Sequence, residues 1–348
     1  MNRFQKRWLI SLVVFLLFTC LAVFIGISVS HMTAPAKSGK DSETAETKEG
    51  TPPETTENTT PEETTSETAP EADDSRESES GSERETEPSS PSYENTASPI
   101  KVLKPEALDL IRETCDTTVM TYSLGTEKDA ENRPVNCLEY ESAFSAISDK
   151  ITVFNSHDNS RKELSLCFVA TQEYNTNTAY ILNKLTDKNI RATFFINHRF
   201  AAENPDLVKR MISSGHEIGS LGASSPDEGL AAYALEDQMA DMLYLQRYME
   251  ENFDYSMTSF YFRGDVYSEA SLKMASDMGY HVRYYTMEYD DVSSSKAIDS
   301  EAMLNEIIAN LHPSASLLLH NANPATLIML PNLANYLKDE GWTITKLH

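Results

Sequence analysis

The chain has 348 residues and a formal net charge of −25, with 29 basic against 54 acidic side chains. A protein that acidic repels nucleic acid and anionic lipid headgroups. Four cysteines in 348 residues are too few for a disulfide framework.

Trp8 to Val29 runs for 22 residues without a charge, directly after Arg3, Lys6 and Arg7. A hydrocarbon core of about 30 Å needs about 20 helical residues, whereas the apolar part of a cleavable signal peptide is only about 7–15 long. Residues 1–32 are therefore predicted to be a cytoplasmic tip and a single-pass signal anchor. The basic flank stays in the cytoplasm, and the rest of the chain lies outside the cell membrane. Ser28-Val29-Ser30 leaves a cleaved, secreted form as the alternative. Cys20 lies inside the run behind Phe18 and Thr19, a poor lipid-attachment context, and reads as a membrane-buried thiol.

Residues 33–98 consist largely of Ser, Thr, Glu and Pro, with 18 acidic against 5 basic residues, and supply more than half of the net charge. Such a composition cannot bury enough apolar surface to offset its ordering entropy, so a disordered linker is expected. As a neutral coil it would span roughly 45 Å, and self-repulsion extends it further.

Residues 99–348 suffice for one well-buried domain, with its core over 163–347. Cys115 and Cys137 are candidates for a bridge in an oxidising exterior, which the sequence leaves open, and Cys167 reads as an inert core thiol. No phosphate-binding GxxxxGK[ST], dinucleotide GxGxxG, HExxH or CxxC motif occurs. From residue 163, short β-branched runs alternate with helical periodicity, which predicts an α/β fold around a parallel sheet. The predicted strands are Glu163–Ala170, Arg191–Asn197, His216–Ser220, Thr258–Arg263, Tyr280–Met287, Ser314–His320 and Trp342–Lys346. Asn204 before Pro205, Ser268 and Asp299 read as helix N-caps, and Gly215, Gly279 and Gly341 as stops.

In parallel α/β folds the chemistry gathers where strands end, at the carboxyl edge. That rule selects Val169–Asn175, His198, Ser220–Ser225, Arg263–Asp265, Glu288–Asp291, and His320 with Asn321. Histidines and carboxylates drawn from separate strands suit a hydrolytic or metal site, and equally an ordinary polar rim.

Three linked runs narrow the choice: Arg191-Ala192-Thr193-Phe194-Phe195-Ile196, then Asn204-Pro205-Asp206-Leu207-Val208-Lys209-Arg210-Met211, then Gly215-His216-Glu217-Ile218-Gly219. Together they resemble the polysaccharide deacetylase family, the NodB-homology domains of carbohydrate esterase family 4. Leu311-His312-Pro313 with Leu317-Leu318-Leu319-His320, and Arg133-Pro134-Val135 with Leu138-Glu139-Tyr140, look like its muramic acid deacetylase branch. The resemblance implies a distorted (β/α) barrel of about seven parallel strands, a peptidoglycan-type glycan as ancestral substrate, and zinc or another divalent metal as the family's cofactor.

The same resemblance implies that the catalytic motifs have been rewritten. Family members end the first strand in a Thr-Phe-Asp-Asp-Gly-like motif carrying the general base and a metal-binding carboxylate; here Val169 or Ala170 stands at those positions. Two metal-binding histidines four residues apart are replaced by Leu221 and Ser225. In the Arg-Pro-Pro-x-Gly motif Tyr261 takes the arginine slot, with Arg263 displaced by two residues. The Asp-Trp motif reads Asp291-Val292. Asp291 and His320 survive, the latter at the position that protonates the leaving amine.

A bound metal lowers the pKa of water from 15.7 to about 7, and a positioned base adds roughly 10²–10⁴-fold in rate. With both devices missing, the expected function is that of a deacetylase-like pseudoenzyme without metal, binding cell-wall glycan or a cell-wall protein. Tyr261, Arg263, Tyr289, Asp291 and His320 are expected to line a glycan groove. The alternatives are an N-deacetylase with a rebuilt site drawing on Asp291, His320, Glu288, Asp265, Asp290 or Glu173, and a structural or regulatory protein whose domain is only a folded plug.

Overall fold

The computed structural model describes residues 100–154, 161–292 and 297–347, all within one compact unit spanning Glu87–His348. The expected membrane anchor and acidic linker lie outside the described residues. No helix among the described residues is long and apolar enough to cross a membrane.

Helix α1 (Pro105–Thr114), the short strand β1 (Met120–Thr121), helix α2 (Val135–Ser145) and strand β2 (Ile151–Thr152) precede the main run of strands. There follow β3 (Glu163–Ala170), α3 (Asn177–Asp187), β4 (Thr193–Ile196), α4 (His198–Glu203), α5 (Pro205–Ser213) and β5 (Glu217–Ser220). After α6 (Leu235–Phe253) come β6 (Ser259–Phe260), β7 (Val266–Tyr267), α7 (Glu269–Met278), β8 (His281–Arg283) and β9 (Met287–Glu288). The fold ends with α8 (Ser300–Ala309), β10 (Ala315–His320), α9 (Ala325–Asp339) and β11 (Thr343–Thr345).

Two of the three expected N-caps make side-chain hydrogen bonds to their helices, and Asn204 makes none to α5. Asn204 precedes Pro205 at the start of α5, the Ser268 hydroxyl accepts the Ser271 N–H, and Asp299 accepts from Glu301 and Ala302. The main sheet is parallel throughout, in the order β2-β8-β6-β5-β4-β3-β10-β9, with β11 beside the first half of β3. A separate antiparallel pair joins β1 to β7.

Why β3 reads as a continuous apolar run is clear from its two faces. Leu164, Leu166, Phe168 and Ala170 pack in one core layer with α3, α8 and α9, while Cys167 and Val169 pack in a second layer on the opposite face. A strand buried on both sides has no polar alternation. The second layer is covered by the segment before β3, through Leu108, Ile111, Tyr122, Cys137 and Phe144. Cys137 sits 3.1 Å from the Tyr122 hydroxyl, and Cys115, Cys137 and Cys167 are all free thiols, so the candidate bridge between Cys115 and Cys137 is not made.

Two predicted strands are redrawn. The run 258–263 pairs only at Ser259–Phe260, because the backbone then turns through Gly264 at φ 78°. The run 280–287 is two strands: β8 pairs with β6 and β2 near one end of the sheet, and β9 pairs with β10 at the other. Between them the Tyr284 N–H donates to Thr152 O at 3.0 Å and the Thr286 N–H to Ser316 O at 3.0 Å. One segment thus links the two ends of the sheet, so the architecture is a curled half-barrel rather than a regular seven-stranded barrel.

Candidate functional site

Strand register brings the site together. Val169 pairs with His320 on one side and Phe195 on the other, Phe195 with Gly219, and Ser220 with Phe260. The expected residues from β3, β5, β6 and β10 therefore stand along one carboxyl edge.

The retained pair is tightly held. The Asp291 side chain is 0% exposed, and its Oδ1 lies 2.9 Å from His320 Nδ1. Its two oxygens also accept the His320 backbone N–H at 3.0 and 3.1 Å, and Oδ2 accepts the Thr326 hydroxyl at 3.2 Å. A carboxylate on Nδ1–H fixes the tautomer, leaving the lone pair of the neutral ring on Nε2. The His320 side chain keeps 17% exposure.

The other motif positions are built as packing. Val169 and Leu221 are buried in the inner apolar layer, and Ala170 is buried in the helix-facing one. Leu221 is 1% exposed. Beyond it the chain turns through Gly222 at φ 81°, where a Cβ would run into the Asp241 carboxylate. That carboxylate, on α6, accepts the Ala223 N–H at 2.7 Å and the Ser224 N–H at 2.9 Å. Ser225 has φ 47° and a buried Oγ without a hydrogen-bond partner, and its carbonyl accepts Arg263 Nη1–H at 2.9 Å. Asp241 and Arg263 thus hold this loop in shape with protein groups alone.

A family-type divalent ion does not fit this donor set. Leucine has no lone pair, a neutral hydroxyl is a weak ligand, and no group of three His, Cys, Asp or Glu converges among the described residues.

The expected groove needs correction. Tyr261 (4% exposed) and Asp291 are buried rather than lining an open cleft, because each is drawn inward by its hydrogen bonds. Tyr289 packs against the helix-facing core, and Arg263 is turned toward Ser225 O and Asp227. Of the five, Arg263, Tyr289 and His320 keep partial exposure, and Tyr261 leads to two carboxylates outside the family motifs.

Those carboxylates are Asp265 and Glu288. Asp265 accepts the Tyr261 hydroxyl at 2.9 Å and the Tyr285 hydroxyl at 2.7 Å, and the same Tyr285 hydroxyl lies 3.1 Å from Glu288. Burial pushes the Asp265 carboxyl above the usual range. Loss of water, and then repulsion from Asp265, does the same to Glu288. Burial and neighbouring carboxylates raise the Tyr261 and Tyr285 hydroxyls well beyond an ordinary tyrosine, so both remain donors. Glu173 is not part of this group: it accepts the Thr178 N–H at 2.9 Å at the start of α3. Asp290 is exposed. Tyr285 and Asp241 were invisible as site residues in the sequence, one lying in an apolar run and the other on a charged helix.

The curled parallel sheet is the fold of solved family 4 carbohydrate esterases. Bacillus subtilis PdaA, a solved member, superposes with a TM-score of 0.61 at 19% identity, covering 66% of this chain and 96% of that one. Residues 156–283 match the family model for polysaccharide deacetylase. Over 204 residues it is 25% identical to the peptidoglycan-N-acetylmuramic acid deacetylase PdaA of B. subtilis, covering 58% of this chain and 76% of the relative. A mutant of a family 4 pseudoenzyme from Bacillus anthracis shares the fold, with a TM-score of 0.50 at 20% identity, covering 54% of this chain and 67% of that one.

Proposed function

We propose that this protein is a membrane-anchored, extracytoplasmic pseudoenzyme of the polysaccharide deacetylase family that binds cell-wall glycan without hydrolysing it. The observation that carries the reading is Leu221, an aliphatic side chain packed in the core where the family places a metal-binding histidine. Val169, Ala170 and Ser225 support it: no general base and no metal ligand stands at those positions. Without metal-activated water and a base, the acetamide carbonyl meets neither a Lewis acid nor a nucleophile. Peptidoglycan deacetylases among the relatives support a wall glycan as ligand. The uncharged run over residues 8–29 supports the anchor.

The test is metal content and acetate release, measured on the full-length protein in detergent with peptidoglycan fragments. Neither stoichiometric zinc nor acetate is expected. A single Leu221→His variant recovers nothing, whereas Val169→Asp, Ala170→Asp, Leu221→His and Ser225→His together recover metal binding before activity. Acetate release that vanishes in His320→Ala and Glu288→Gln would instead establish a rebuilt hydrolase, the reading favoured by the raised carboxyls beside His320.

A further inference from the structure

We infer that the cavity between the last turns of α3 and α9 is a glycan contact of this domain, where a sugar ring stacks on Trp342 and its hydroxyls meet Asp187, Asn189, Asn335 and Lys338. The inference rests on the glycan-binding reading above and gives it a place, at the end of the sheet opposite Asp291 and His320.

Chain direction builds the cavity. Helices α3 and α9 follow β3 and β10, so both run back toward the amino edge of the sheet and end there. Lys188 closes α3, its N–H donating to the carbonyls of Lys184 and Thr186. Past the end of α9 the Trp342 N–H donates to Leu337 O at 2.7 Å, and Thr343 then pairs with Glu163 at the start of β3. Between these ends lies a solvent-open cavity of about 460 Å³, lined by both helices and by Trp342. Ligand sites typically measure about 300–1,000 Å³. At the carboxyl edge, by contrast, Tyr261 and Asp291 are turned inward and buried.

Trp342 supplies the wall that a sugar needs. It is the only tryptophan of residues 99–348. The side chain packs against the helix-facing core and keeps partial exposure on the cavity side. A ring held by the core before any ligand arrives loses little freedom on binding. Its flat apolar surface matches the C–H face of a pyranose.

The rim supplies the polar half. Lys188 Nζ donates to Asn335 Oδ1 at 2.7 Å, which ties α3 to α9 beside the cavity. Among the described residues the side chains of Asp187, Asn189 and Lys338 have no hydrogen-bond or ion-pair partner, and all three are exposed. A carboxylate accepts, an ammonium donates and an amide does both, which is the mixture that hydroxyls require, since each hydroxyl donates and accepts. Other ligands use less of the site. Phosphate would be repelled by Asp187 and leave the indole idle, a metal ion would be repelled by the lysines, and an apolar helix would strand the rim without partners.

The experiment is a fluorescence titration of the full-length Trp8→Phe variant in detergent, whose single remaining tryptophan is Trp342. An N-acetylglucosamine tetramer is expected to shift the emission in a saturable way, with the affinity that calorimetry gives for the parent. Asn335→Ala with Lys338→Ala, both at exposed positions, should bind about tenfold more weakly at an unchanged melting temperature, as for the loss of two hydrogen-bonding groups. Calorimetric binding that leaves the Trp342 emission unmoved and the double variant unimpaired overturns this site and leaves the glycan reading standing. Binding absent by both methods overturns both. An equal emission shift with inorganic phosphate assigns the cavity to anions and overturns the sugar.

Discussion

Two stretches of one carboxyl edge have gone opposite ways. At the end of β10, Asp291 and His320 keep the polar geometry of a working site, with the carboxylate wholly buried and accepting from ring, backbone and hydroxyl donors. After β5, Leu221 lies in the apolar core, and a carboxylate on α6 and a guanidinium organise the loop that follows. The contrast teaches that one edge holds two kinds of order, apolar packing after β5 and a hydrogen-bonded polar pair beside β10 whose members depend on each other.

Breaking the polar half should have the largest effect. Asp291→Ala leaves the His320 ring and its backbone N–H without their acceptor, and loss of one member of a buried pair typically costs about 3–5 kcal/mol. Urea denaturation of the purified protein measures it; a loss within error of zero would make the pair dispensable to the fold. Next comes Leu221→His, which places a ring needing hydrogen bonds among apolar side chains. A destabilisation of about 2–3 kcal/mol is expected, with no gain in zinc content. If that variant were as stable as the parent and bound zinc, the loop would be a dormant metal site rather than core. Asp241→Ala removes the acceptor for two loop N–H groups and should cost about 1–2 kcal/mol. Hydrogen exchange should quicken at Ala223 and Ser224 while the amides of β10 stay protected.

The smallest effect sharpens the comparison through pH. His216 and His312 are buried away from the edge, and burial holds both rings at pKa values of about 4. His216 Nδ1 accepts the Ala192 N–H at 3.1 Å, which requires the neutral ring. Their folded pKa values are depressed below the ordinary 6.5, so the unfolded chain binds protons first. Their stabilisation is full above about pH 6.5 and is lost as pH falls toward 4. Between pH 7 and 6 the loss is about 0.5–1 kcal/mol for each histidine. Denaturant midpoints across that range, compared with His216→Gln, test it; an unchanged pH slope in the variant would remove His216 from the account.

Much of the domain was legible because its signals are local. The β3, β4, β5 and β10 strands announce themselves as short apolar runs, since a parallel strand buried on both faces has no polar alternation to hide it. Ser268 and Asp299 mark helix starts by satisfying N–H groups that the helix itself leaves unpaired, and Pro205 after Asn204 marks another because its ring suits the first helical position. The cleft expected from Tyr261, Tyr289 and Asp291 was misjudged, because residue type reports what a side chain is able to contact and not which way it turns.

The sequence by itself determined the order of most strands and helices and the match of residues 156–283 to the polysaccharide deacetylase model, because each of these is written in neighbouring residues. Tertiary structure alone decided that the run from Tyr280 to Met287 crosses from one end of the sheet to the other, that the segment before β3 covers the inner layer, and that one tyrosine hydroxyl serves both Asp265 and Glu288. Apolar periodicity records that a residue is buried. Which partner buries it depends on how the sheet curls, and the residues that meet there are separated by as many as 163 positions, as Tyr122 and Tyr285 are.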